Sequence, residues 1–294
     1  MCSVCEYQVP PMKSRWERLM EELSNKIIIS TMGLTYFLNS ALKQGIEIKR
    51  VGLCSLSLIM AGSSIEGNLI KEVAKYIVNG QKHDGGWIDV EETLLAVKLL
   101  SIISNDYNSP VERGNKWLLS QRNPDGGWGR TNRDITRIPI TGLLLHLLPE
   151  LSDQKAANWL KNEWKKDFQG NTRLTYKGAF FLLGLSASGV SVDDFPLTKE
   201  TYSFLADEQN EDGGFGPWKD HPIGSDPWST GIVLLSLLSY PELIKRDVIE
   251  KAVNWLAENQ LPNGLWPYHY IEEGSTYAYW GLVEALKYLS RKSI

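Results

Sequence analysis

Apolar residues along this chain occur in two kinds of segment that alternate from one end to the other. One kind is amphipathic, with apolar positions at helical spacing, and the other is apolar on nearly every side, as in the run GLLLHLL at 142–148. The first kind predicts six outer helices near 28–43, 68–81, 111–121, 152–165, 198–209 and 247–260. The second kind predicts six inner helices near 49–62, 91–104, 139–150, 175–187, 229–240 and 276–290.

Four of these helical hairpins share a motif. Each copy has an aromatic residue on the outer helix, a Gln at its end, a tight turn with glycine, and then an aromatic residue; the copies end at Trp87, Trp128, Phe215 and Trp266. A helix that is apolar on all sides must be packed against other elements on all sides, whereas an amphipathic helix keeps one face in contact with solvent. A closed ring of hairpins, with the apolar helices inside and the amphipathic helices outside, satisfies both requirements. The sequence therefore predicts an all-α protein, a single α6/α6 toroid over residues 14–294 that follows a loose segment at 1–13.

Composition narrows the class of partner. The 294 residues are 43% hydrophobic and 22% charged with a formal net charge of −4, which is typical of a globular protein and leaves no basic field for nucleic acid. Three cysteines cannot form a disulfide framework, so a cytoplasmic location is expected, and Cys2 and Cys5 are expected to bind no metal. The apolar stretch at 27–42 is interrupted by polar residues, which predicts a packed helix and no transmembrane span.

The repeats at 113–128 and 251–266 resemble the QW motif of the terpene cyclase and prenyltransferase superfamily. Four good copies and two degenerate ones cover most of residues 40–290. The family includes squalene-hopene cyclases, class II diterpene cyclases and the β subunits of protein prenyltransferases. In that family the Gln and Trp of the motif tie an outer helix to the next inner helix, so the resemblance implies that they are structural.

One inner helix begins with three carboxylates within four residues, Asp89, Glu91 and Glu92. The run 89–94 resembles the Asp-x-Asp-Asp-Thr-Ala motif of class II terpene cyclases, in which the middle acid protonates an alkene or epoxide. By position the resemblance assigns that catalytic role to Glu91, with Asp89 and Glu92 as neighbours. Three carboxylates this close cannot all ionise cheaply in a partly apolar pocket, so one is expected to keep its proton near neutral pH.

The other repeats help to separate capping from chemistry. Asp226 and Glu272 each lie four residues before a Thr, as Asp89 does, which indicates that Asp89 caps its helix. Two residues before the Thr, the other clear repeats carry Pro139, Trp228 and Gly274. The repeat pattern therefore does not account for Glu91.

Basic residues precede two inner helices, with Arg130, Arg133 and Arg137 before one and Arg173 and Lys177 at the start of the next. Closure of the ring would bring these ends to one mouth together with Glu91. Their guanidinium and ammonium groups suit a diphosphate or carboxylate head group, and a surface salt-bridge set is the alternative.

Aromatic residues are expected at the same mouth, where their π faces would stabilise a carbocation without quenching it. Core packing is the alternative explanation for each of them. The candidates are Tyr176, Trp228, Tyr277 and Trp280.

The leading hypothesis is a class II-like terpene cyclase that acts on a small isoprenoid. No cofactor is required, although Mg²⁺ would accompany a diphosphate substrate, and no metal-binding residues are expected. Characterised class II cyclases usually place the site between two toroids, so a homo-oligomer or a partner chain would complete the pocket. One alternative is a non-catalytic toroid that binds an isoprenoid or a partner protein, and another is a carbohydrate-active toroid with paired carboxylates such as Glu91 and Asp226.

Overall fold

A computed structural model describes residues 15–170 and 173–291, apart from the side chains of residues 15 and 16. The expected loose segment 1–13, with Cys2 and Cys5, lies outside the described residues. Within the described ranges the chain forms twelve α-helices and no β-strand. The helices are α1 (Arg15–Gln44), α2 (Ile48–Met60), α3 (Asn68–Asn79), α4 (Val90–Ile103), α5 (Asn108–Ser120), α6 (Ile138–Leu147), α7 (Gln154–Gln169), α8 (Thr175–Ala187), α9 (Leu197–Asp207), α10 (Pro227–Leu238), α11 (Arg246–Glu258) and α12 (Ile271–Arg291).

The even-numbered helices form a closed inner ring. Each packs against the next, and α12 packs against α2, which closes the circle. The odd-numbered helices lie outside this ring, with α3, α7, α9 and α11 each packed between two successive inner helices. The predicted all-α, α6/α6 toroid is confirmed, and α1 begins at Arg15 rather than near residue 28.

The repeated motif fixes the turn that leads from an outer to an inner helix. The indole N–H donates a hydrogen bond to a carbonyl ten residues earlier on the preceding outer helix, from Trp87 to Ile77 (2.8 Å) and from Trp128 to Leu118 (2.7 Å). In three of the four copies the motif Gln connects the turn to the next outer helix rather than to the next inner one. Nε2 of Gln209, for example, donates to the carbonyls of Gly213 and Val248, at 2.9 Å each. In the copy at 117–128 the side chain of Arg122 makes this connection, through Gly126 and Asp153.

A hydroxyl at the start of the inner helix completes the turn and sets the register of each repeat. The backbone N–H of Trp87 donates to Oγ1 of Thr93 at 3.0 Å, and the same bond recurs at Thr141 and Thr230. In the last repeat Ser275, not Thr276, accepts this bond, from the N–H of Trp266 at 2.8 Å. The residue two before the hydroxyl is therefore Glu273 rather than Gly274, and Glu91 has a counterpart in the repeat.

Candidate active site

The inner helices all begin at one end of the barrel, and a cavity of about 320 Å³ opens there beside the start of α4. We call it the acid cavity. Seven of its nine lining residues carry acidic or basic side chains, and the other two, Ile88 and Tyr270, form its apolar wall. The lining residues are Glu47, Lys49, Arg50, Ile88, Asp89, Glu92, Arg130, Tyr270 and Glu273.

The seven charged lining residues are Glu47, Lys49, Arg50, Asp89, Glu92, Arg130 and Glu273. Four of these seven are carboxylates and three are cations. Carboxylates therefore outnumber cations by one in the lining of the acid cavity.

The ammonium of Lys49, on α2, lies between carboxylates of two other inner helices. Its Nζ is 3.0 Å from Oε1 of Glu91 on α4 and 3.7 Å from Oε1 of Glu273 on α12. All three side chains are at least three-quarters buried, at 25%, 18% and 23% exposure. Glu91 is therefore held in an ion pair rather than placed alone in an apolar pocket.

Burial raises the pKa of the Glu91 carboxyl above its usual range, because removal from water disfavours the charged form. The charge of Lys49 and its hydrogen bond oppose this shift, while the charges of Asp89 and Glu273 add to it. Burial alone would lower the pKa of Lys49, but the carboxylates of Glu91 and Glu273 together raise it. The environment therefore raises the pKa of both Glu91 and Lys49.

Asp89 and Glu92 organise the backbone around Glu91. Oδ1 of Asp89 accepts the N–H of Glu92 at 2.9 Å, which confirms the predicted N-cap, and its Oδ2 lies 3.8 Å from Nε of Arg130. Glu92 is buried, and its two carboxylate oxygens accept the backbone N–H groups of Lys49 and Ile88, at 3.0 Å each. Glu92 thereby ties the start of α2 to the start of α4.

Three aromatic rings lead away from the carboxylates along the same end of the barrel. The ring of Tyr277 is close enough to Glu91 and Glu273 that their charges add to burial in raising the pKa of its hydroxyl. Its centroid lies 5.7 Å from that of Trp228, which in turn lies 5.8 Å from that of Tyr176. We call Tyr277, Trp228 and Tyr176 the aromatic path.

The aromatic path ends at a second cavity, of about 230 Å³, which we call the Arg137 cavity. Tyr176, Arg137 and Lys177 all line it. Both cations have partners, since Nε of Arg137 lies 2.8 Å from Asp134 and Nζ of Lys177 lies 2.8 Å from Asp167. The Arg137 ion pair is about half exposed on the arginine side, so a ligand can reach the guanidinium.

The other predicted site residues lie elsewhere. Arg133 is exposed and lines neither cavity, and Arg173 packs over the rings of Phe168 and Phe204, next to the outer helices. Trp280 lies one turn beyond Tyr277, with its ring 5.9 Å from that of His146. The structure therefore does not gather all the basic residues at one point, and it divides Arg130 from Arg137 and Lys177.

Two residues of the site, Lys49 and Glu273, were not among the sequence candidates. Lys49 lies outside every motif, so no signal in the sequence marks it. Alignment of the last repeat on Thr276 places Gly274 opposite Glu91. The hydrogen bond from Trp266 to Ser275 shows that the repeat aligns on Ser275 instead, which places Glu273 opposite Glu91. Asp226, a carboxylate of the carbohydrate hypothesis, caps α10 through the N–H of Ser229 at 2.7 Å.

Exposed apolar side chains surround the mouth. They come from the loops that precede α4, α6, α10 and α12, and their exposure lies between 43% and 73%. They are Ile88, Ile135, Trp218, Ile223 and Tyr270. Apolar surface of this kind commonly marks a place where an apolar ligand, a membrane or a partner protein binds.

Comparison with known protein families assigns the fold and its repeats to a family. The model of the prenyltransferase alpha-alpha toroid domain matches residues 53–282. The chain belongs to this family. The match spans the inner helices from α2 to α12 and includes every copy of the repeated motif.

Two curated relatives of the chain are named as a cyclase and a synthase. The chain is 25% identical to a squalene-hopene cyclase of Zymomonas mobilis, over 65% of this chain and 37% of the relative. It is 26% identical to a drimenyl diphosphate synthase of Streptomyces showdoensis, over 60% of this chain and 36% of the relative. The chain thus spans little more than a third of the length of these relatives.

Solved structures of similar fold include the type II terpene cyclase MstE from Scytonema. A variant of MstE in complex with geranylgeranyl dihydroxybenzoate, described as its substrate, superposes with a TM-score of 0.70 at 15% identity, covering 92% of this chain and 99% of MstE. The same cyclase without ligand gives a TM-score of 0.67 at 17% identity. At these identities the likeness establishes the fold.

No helix in residues 15–170 and 173–291 has the length and apolar character needed to cross a membrane. Over the same ranges, no group of three or more His, Cys, Asp or Glu side chains is arranged to hold a metal ion. The charged residues at the mouth instead pair with one another, as the Lys49, Arg130 and Arg137 contacts show.

Proposed function

We propose that the protein is a class II-like terpene cyclase in which Glu91 protonates an isoprenoid substrate. The observation that carries this proposal is the order of groups along the mouth: the buried Glu91, then the aromatic path, then the Arg137 cavity. This order matches the needs of a substrate with an alkene at one end and a polar head group at the other.

The reaction begins with transfer of the Glu91 proton to a terminal alkene or epoxide. For an alkene, the π electrons form the new C–H bond, the positive charge develops on the more substituted carbon, and the O–H electrons remain on Glu91 as a carboxylate. The π faces of Tyr277, Trp228 and Tyr176 stabilise the cation as ring closure moves it along the chain. Proton loss or capture of water then ends the reaction.

A polar head group binds at the far end of the aromatic path, where Arg137 and Lys177 offer charge-assisted hydrogen bonds to a diphosphate or carboxylate. The relative named for drimenyl diphosphate supports a diphosphate, and the MstE substrate supports a benzoate. The chemistry needs no cofactor, and Mg²⁺ takes part only as the counter-ion of a diphosphate.

Two further observations support an isoprenoid ligand at this mouth. The five exposed apolar side chains of the surrounding loops offer apolar surface to a prenyl chain. The indole Nε1 of Trp228 is buried without a hydrogen-bond acceptor among the described residues, which is unfavourable for a buried donor. A ligand oxygen beside Trp228 would satisfy it.

The test is incubation of the purified protein with prenyl diphosphates of increasing length, squalene and geranylgeranyl dihydroxybenzoate, with and without Mg²⁺. Extracts are analysed by mass spectrometry beside a Glu91→Gln control. A new isomeric product that disappears in the control supports acid-initiated cyclisation. Binding of a substrate without turnover would instead favour the alternative, a non-catalytic isoprenoid-binding toroid.

A further inference from the structure

Glu91 and Glu273 occupy equivalent positions in two repeats. Each lies two residues before the hydroxyl that accepts the N–H of the motif Trp, Thr93 in one repeat and Ser275 in the other. Their helices, α4 and α12, flank α2 on either side in the inner ring. The side chain of Lys49, in the first turn of α2, lies between the two carboxylates.

The other charged groups near Glu91 are engaged with different partners. Arg50 pairs with Glu272, Arg130 with Asp89, and Glu92 accepts two backbone N–H groups. The titratable and charged groups that line the acid cavity or interact with Glu91 and its neighbours are Glu47, Lys49 and Arg50 on or beside α2, Asp89 and Glu92 at α4, Arg130 before α6, and Glu272, Glu273 and Tyr277 on α12. Among these groups Lys49 is the cation that contacts Glu91.

One ammonium cannot neutralise two carboxylates. Like charges brought together in a partly buried site favour retention of a proton on one of them. The distances of 3.0 Å to Glu91 and 3.7 Å to Glu273 place both carboxylates within reach of a small rotation of the Lys49 side chain.

We propose that Lys49 and Glu273 are positioning residues that control the proton of Glu91. When Lys49 pairs with Glu273, Glu91 holds the proton that starts the reaction; when Lys49 pairs with Glu91, it neutralises the carboxylate left after proton transfer. No covalent bond forms or breaks among the three groups when Lys49 changes partner, and their net charge falls by one unit when the Glu91 proton passes to the substrate. This inference rests on the proposed function.

The experiment measures the pKa of the Glu91 carboxyl directly, by ¹³C NMR of the full chain labelled at the glutamate carboxyl carbon. The Glu91 signal is identified by its loss in Glu91→Gln. We expect Glu273→Gln to lower the pKa of Glu91, since Lys49 then has one carboxylate to pair with, and Lys49→Met to raise it. Glu273→Asp is expected to restore part of the wild-type value.

A double variant separates action through Lys49 from simple loss of a negative charge. If Glu273 acts through Lys49, the downward shift caused by Glu273→Gln becomes smaller in the Lys49→Met background. Glu284→Gln is the matched control, because it makes the same substitution on the same helix about 16 Å further along. It is expected to leave the pKa of Glu91 unchanged.

An unchanged or higher pKa of Glu91 in Glu273→Gln would overturn the inference, and so would an equal shift with and without Lys49. Because the readout does not depend on turnover, its failure is distinct from that of the proposed function. The expected shifts without any cyclised product would retain the proton control and reject the cyclase. A cyclised product without the expected pKa shifts would support the cyclase and reject the proton control. Thermal unfolding of each variant verifies that it is folded.

Discussion

The ring of Trp228 meets that of Tyr277 edge to face, with centroids 5.7 Å apart and planes at 73°. This contact joins the first turn of α10 to the second turn of α12 and so continues the π surface from the carboxylates toward Tyr176. A cation formed beside Glu91 would meet the ring of Tyr277 first and then the ring of Trp228. The contact therefore gives the aromatic path its continuity.

Replacement of a ring in the aromatic path should slow cyclisation. We expect Trp228→Leu to reduce kcat about tenfold, because loss of a desolvated cation–π contact of about 1–2 kcal/mol corresponds to roughly this factor. Tyr277→Phe keeps the ring and should have a smaller effect than Tyr277→Leu. Steady-state kinetics with product analysis measures both, and equal kinetics for the Phe and Leu variants would contradict a π contribution.

Loss of a cation in the Arg137 cavity should weaken binding of charged substrates selectively. We expect Arg137→Leu to raise KM for a prenyl diphosphate about tenfold or more, because the variant loses a charge-assisted hydrogen bond to the head group. KM for squalene should stay unchanged, since squalene has no charged head group. Arg246→Leu removes an arginine from an exposed ion pair of similar geometry on α11 and serves as the control. An equal rise in KM for both substrates would show that Arg137 does not bind the head group selectively.

Cyclisation should depend on pH through the protonated form of Glu91. Burial raises the pKa of this carboxyl, so the acid form, and with it the rate, is present below that pKa and is lost as pH rises through it. The descending limb of log kcat against pH should have a slope near −1 and lie above the range of an exposed glutamate. A rate that increases with pH through this range would contradict an acid role for Glu91.

The motif tryptophans should stabilise the fold without acting in the reaction. Trp128→Phe removes the 2.7 Å bond to the carbonyl of Leu118, which then keeps only the 3.2 Å bond from the N–H of Gln121, so we expect the free energy of unfolding to fall by about 1–2 kcal/mol. Trp218→Phe, at an exposed position, should change it by less than about 0.5 kcal/mol. Denaturant unfolding measures both, and equal losses would contradict the role assigned to the motif.

The helices and their order could be predicted because local periodicity and a repeat specify them. The capping role of Asp89 followed from the same repeat, since an acidic side chain at that position satisfies free N–H groups. The Lys49 ion pair could not be predicted, because it joins three helices that are distant in sequence and depends on how the ring closes. The division of Arg130 from Arg137 likewise depends on the path of one long loop.

The most direct test of the central claim compares the products of the wild-type protein and the Glu91→Gln variant on the same prenyl substrates. Glutamine preserves the size of the side chain and removes the proton that starts the reaction. We predict that the wild type forms a cyclised isomer and that the variant, with an unchanged unfolding temperature, reacts about a hundredfold or more slowly. Full cyclisation activity in Glu91→Gln would contradict the account.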